Sequence, residues 1–130
     1  MAGSNREISA FAEAAQGLLE FRRGNFEKGS EHYLNSIRIS REMKRADYIV
    51  NAAIFWLDQQ VHCGLVPRDT LQDELSYIQR AIEKLPAGQA KDIGQTFVAR
   101  KASMERAASK LDGVERHPAH EPNSHQLDVG

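Results

Sequence analysis

Along most of this chain the apolar side chains recur every three or four positions, and almost nowhere do they alternate in the two-residue rhythm of a strand. A sequence patterned in this way buries its apolar surface as packed helices. In the first segment, about residues 5–23, Ile8, Phe11, Ala15 and Leu18 share a face, and Ser4 stands three residues before Glu7 in capping-box spacing. Gly24-Asn25 interrupts the pattern, since glycine accepts the left-handed conformation that ends a helix and asparagine caps the next one. Phe26, Ser30, Tyr33, Ile37 and Ser40 then carry a second helix to about Met43.

The third segment, about residues 45–63, holds two overlapping series: Val50, Ile54, Leu57 and Val61, and beside them Ile49, Ala53 and Trp56. A stripe that wide predicts a central helix, with Trp56 as the anchor of the core. Beyond Gly64, Asp69 is the expected cap of a fourth helix marked by Leu71, Leu75, Ile78, Ile82 and Leu85 and stopped by Pro86. A fifth, about residues 89–111, carries Ile93, Phe97, Met104, Ala108 and Leu111. The predicted fold class is all-α: five helices in antiparallel hairpins forming one domain over residues 1–112. After Asp112 the chain turns to Gly113, Pro118, Pro122 and Gly130 with no aromatic residue, which predicts a disordered tail over 113–130.

Composition narrows the function. Seventeen Lys and Arg face 18 Asp and Glu, a net charge of −1, so no global field draws the chain to nucleic acid or to an anionic membrane. The longest apolar run, Ala52 to Leu57, is far below the roughly 20 residues a spanning helix needs, and the amino end lacks the regions of a secretory signal. One cysteine, Cys63, excludes an internal disulfide and points to a reducing, cytoplasmic setting.

The two hairpins repeat one another. Gly24 and Gly64 punctuate corresponding turns, and Phe26, Tyr33, Ser36 and Ile37 align with Leu71, Ile78, Ala81 and Ile82. The stretch 12–40 resembles a tetratricopeptide repeat (TPR). Gly17 falls at that family's first small position, Gly24-Asn25-Phe26 matches its turn, and Gly29, Tyr33 and Ser36 match its small, aromatic and small packing positions. Arg41 stands where the family places a closing proline, and the second unit retains little beyond Gly64 and the segment 77–81. The resemblance implies a short curved stack of helical pairs, whose inner surface holds a peptide or another protein.

Lys44, Tyr48, Asn51, Phe55 and Asp58 recur at helical spacing on one side of the third helix and form the candidate partner-binding face. In this reading Asn51 hydrogen-bonds a peptide backbone, while Tyr48 and Phe55 anchor side chains. The alternative is that both aromatics pack internally against the first or fifth helix. Arg22 and Arg23 border the same groove or simply end a helix.

A basic run, Arg38, Arg41, Lys44 and Arg45, supports a second reading as a nucleic-acid-binding module, which the neutral net charge and the lack of interleaved aromatics disfavour. A third reading is self-association through the open ends of a short stack, making a homo-oligomer. His117, His120 and His125 fall in the tail, where no preformed metal site is expected, and His62-Cys63 lacks an orienting third group. With no zincin, EF-hand, P-loop or nucleophile-elbow motif, neither a cofactor nor a metal is expected, and the chain reads as non-catalytic.

Overall fold

Three residues with positive φ decide where the helices stop. Gly24 (84°) and Gly64 (76°) are joined by Lys44 (59°), the one such residue other than glycine among those described. After each, the next amide reaches back five positions: Asn25 N donates to Glu20 O at 2.8 Å, Arg45 N to Ser40 O at 3.0 Å, and Leu65 N to Gln60 O at 2.9 Å. This Schellman closure satisfies carbonyls that a helix end otherwise leaves open. The computed structural model describes residues 2–111. It contains five helices: α1 (Ala2–Arg22), α2 (Phe26–Glu42), α3 (Ala46–His62), α4 (Arg68–Glu83) and α5 (Ala87–Leu111). The expected tail 113–130 lies outside the described residues.

The fold class is all-α, as the periodicity predicts, but three of the expected caps are not formed. Because α1 begins at Ala2, Ser4 lies within the helix and not at its N-cap position. Asn25 occupies the N-cap position of α2 without a side-chain cap bond. At α4 the N-cap is Pro67, which places Asp69 in the first turn, where its charge complements the helix dipole.

Helices α1 and α2 run antiparallel and approach closely. A methyl group built on Gly17 would meet the Tyr33 ring at 2.7 Å, and one on Gly29 would meet the Phe21 ring at 2.6 Å. Next to this crossing, Ser36 Oγ donates to the carbonyl of Ala10 at 2.7 Å. The face of α1 that is buried is therefore the one holding Ala10, Gly17 and Phe21, while on the other stripe Ile8 is 63% and Phe11 49% exposed.

As expected, α3 is central, packing against every other helix. Its Ile49, Ala52 and Trp56 join Phe21, Tyr33 and Ile37 in one part of the core. Its Val50, Ile54, Leu57 and Val61 join Leu71, Leu75, Ile78, Phe97 and Met104 in the other. Trp56 is buried as predicted, stacked on Tyr33 at 6.1 Å between centroids and donating from Nε1 to Ser30 Oγ at 3.1 Å. The aligned positions of the two hairpins agree in burial: Tyr33, Ser36 and Ile37 on α2, and Ile78, Ala81 and Ile82 on α4.

The contacts Phe11 to Tyr48 and Glu7 to Tyr48 set α1 beside α3, and Asp58 to Arg100 and His62 to Ser103 set α3 beside α5. Contacts between α3 and α5 advance together along both helices, so the two run in the same direction. No described helix is long and apolar enough to cross a membrane.

Candidate functional site

The apolar stripe that α1 leaves outside its packing with α2 faces α3. Between them lies an open cleft of about 210 Å³. Phe11, Ala14, Ala15 and Leu18 of α1 form one wall; Tyr48, Asn51, Ala52 and Phe55 of α3 form the other; Tyr33, Ser36 and Ser40 of α2 make the floor. Among the described residues no charged side chain lines it. The two serine hydroxyls of the floor are already engaged, Ser36 with Ala10 O and Ser40 with Ser36 O at 2.8 Å. The carboxamide of Asn51 has no protein partner among the described residues and remains available to a ligand.

Helical spacing brings Tyr48, Asn51 and Phe55 to this cleft together, one turn apart along α3. Both aromatics are half-buried, and each carries a cation over its ring face. The Arg45 guanidinium lies 3.9 Å from the centroid of Tyr48, and that of Arg100 lies 4.6 Å from Phe55. Tyr48 also packs on Phe11 at 5.1 Å, and its hydroxyl donates to Glu7 Oε1 at 2.7 Å; this acceptor and partial burial hold the phenol above its usual pKa. The rim is thus ordered before any ligand arrives.

Two of the five residues expected on the binding face are placed elsewhere. Asp58 is only 2% exposed and accepts from Arg100 Nη1 at 3.0 Å, so it clamps α5 to α3 inside the protein. The spacing rule put it one turn beyond Phe55 but could not register the neighbour that covers it. Lys44 does not belong to α3 at all; it is exposed in the left-handed turn that precedes the helix.

The basic run is partly neutralised by its own neighbours. Arg38 donates to Glu42 at 3.3 Å, and Glu42 also pairs with Arg6. Arg45 makes a bidentate bond to Asp47, at 2.8 and 3.0 Å, which holds the Asp47 carboxyl below its ordinary pKa. Arg41 is exposed and interacts within the protein.

Eight residues of the cleft lie outside the face expected from the sequence, Phe11, Leu18 and Tyr33 the largest among them. Phe11 and Leu18 belong to the apolar stripe of α1, whose period marks a helical face without naming its partner. Arg100 stands 45 residues from Phe55, and no local spacing links the two.

At the other end of α3, His62 Nδ1 lies 2.9 Å from the carbonyl of Asp58 and 3.2 Å from its Oδ1, while Ser103 Oγ lies 3.2 Å from Nε2. These are the residue types of a nucleophile, base and orienting acid. Ser103, however, lies within the continuous helix α5, whose amides bond along the helix and offer no cradle for an oxyanion. Burial also raises the Cys63 pKa, the opposite of what an activated thiolate requires. Among the described residues no three His, Cys, Asp or Glu side chains form a metal-ligand group, and His117, His120 and His125 lie outside them. Comparison with protein-family models, with curated proteins and with solved structures gave no match for this chain.

Proposed function

We propose that this protein is a non-catalytic interaction scaffold that takes a peptide or a segment of a protein partner in the cleft between α1 and α3. The observation that carries the reading is a pre-ordered apolar cleft whose one unengaged side-chain amide, Asn51, sits between two fixed aromatics. Apolar walls favour a side-chain anchor, and a lone carboxamide can both donate to and accept from an extended backbone.

TPR-like stacking is part of this proposal. It is supported by the Gly17 and Gly29 crossing, by the shared turn closure at Gly24 and Gly64, and by matched burial across the two hairpins. Cytoplasmic residence, argued from the single cysteine, belongs to the same reading.

Selection from a random-peptide library tests it. Selected peptides are expected to lose affinity tenfold or more for Asn51→Ala and Tyr48→Ala, with helicity and melting temperature retained. Peptides that bind these variants as well as the parent would remove the cleft from consideration.

Self-association is a second reading, favoured by the exposure of Ile8 and Phe11. Light scattering over a hundredfold concentration range separates it, since a monomer throughout excludes it. Nucleic-acid binding by Arg38, Arg41 and Arg45 has less support, because two of the three are engaged with carboxylates.

A further inference from the structure

A second cleft, of about 320 Å³, opens along the same two parallel helices that carry Phe55 and Arg100. Val61, His62, Ser103, Arg106, Ala107 and Lys110 line it, and none of them is a carboxylate. Arg106 and Lys110 are exposed and form no ion pair with any described residue. The nearby acid, Asp58, is buried and already compensated by Arg100, so it does not offset their charge at the surface. The α1–α3 cleft is thus uncharged, and the cleft beyond it is cationic.

We propose that the occupant of this surface is an acidic peptide segment: an aromatic or large aliphatic side chain enters the α1–α3 cleft, and carboxylates of the same segment meet His62, Arg106 and Lys110. This rests on the function proposed above and specifies the chemistry of its ligand. The spacing follows from α3. Phe55 and His62 are two turns apart, about 10 Å along the axis, which an extended peptide covers in about three residues. The acidic residues therefore stand three to four positions from the anchor. A cationic cleft whose Arg106 and Lys110 form no ion pair among the described residues, beside an apolar one, selects this pattern by charge complementarity, and salt weakens the charged half alone.

The test uses the full chain and fluorescein-labelled twelve-residue peptides bearing one phenylalanine. Glutamate, lysine or serine stands three and four positions away, with each pattern made in both chain directions. Fluorescence polarisation is expected to show one of the glutamate peptides binding at least tenfold tighter than its serine counterpart, an advantage that 0.5 M salt erodes. Arg106→Glu/Lys110→Glu abolishes that advantage, leaves the serine peptide unchanged and transfers preference to a lysine peptide, while the melting temperature is retained.

If glutamate gives no advantage, or the double reversal leaves it intact, the acidic partner is overturned while the cleft reading stands. If Asn51→Ala and Phe11→Ser leave all binding unchanged, or no peptide binds, the cleft reading falls and this inference with it. Tighter, more steeply salt-dependent binding of a single-stranded oligonucleotide through Arg106 and Lys110 also overturns the peptide assignment.

Discussion

Gly17 and Gly29 hold α1 and α2 at a separation that no β-carbon tolerates without moving a buried ring. Gly17→Ala and Gly29→Ala are each expected to destabilise the fold by about 1–3 kcal/mol, the usual cost of overpacking, measured by urea denaturation. Lys44 is the reverse case, because its turn has the geometry of the Gly24 and Gly64 turns but carries a side chain at φ 59°. Lys44→Gly is expected to raise stability by up to about 1 kcal/mol, by relieving left-handed strain. The two glycine turns were legible in the sequence as stop signals; Lys44 was not, since lysine gives no sign that the backbone will force it into that region.

Tyr33 supplies a titration. Burial, with the charge of Asp58 second, raises its pKa to about 12, so the folded protein retains a proton there that an unfolded tyrosine releases near 10. Stability from this group is full below pH 10 and is lost as pH rises through about 12. Absorbance at 295 nm is expected to show one tyrosine ionising last, and Tyr33→Phe is expected to flatten the alkaline limb of the stability curve.

At the scale of elements, α3 is the member that the others share. Trp56→Ala is expected to cost about 3–5 kcal/mol, read as a fall in melting temperature, because the ring stacks on Tyr33 and fills the space among α1, α2 and α3. The Asp58–Arg100 bond does a different job, fixing the register of α5. Arg100→Gln leaves a buried carboxylate without its cation and is expected to destabilise by about 1–3 kcal/mol. Adding Asp58→Asn to that variant restores part of the loss.

The sequence period was sufficient to find all five helices and to place α3 at the centre. It could not say which of the two stripes on α1 turns inward, since periodicity defines a face without naming its partner. Close approach at two glycines decides it, burying the small residues and leaving Phe11 and Ile8 outside. Asp58 was misplaced for a related reason, because its partner stands 42 residues away and no local spacing announces it.

At the scale of the molecule, one stretch of the candidate surface, on α3, was legible before its shape was known. Tyr48, Asn51 and Phe55 do share a cleft, whereas its opposite wall and its cationic continuation depend on three helices coming together. Phe11→Ser belongs at this scale, since Phe11 is half-exposed and supports Tyr48 from the facing helix. It is expected to weaken peptide capture at least tenfold, measured by polarisation, with little change in melting temperature.

Every helix packs only on helices one or two places away in chain order, and among the described residues α1 never meets α4 or α5. Assembly therefore needs no distant ends to find each other, and refolding belongs in the microsecond-to-millisecond range of chains built from near neighbours. The same wiring means that fraying of the carboxyl-terminal pair reaches the pocket only through α3, where it frees Phe55 from Arg100 and leaves the α1–α2 crossing closed.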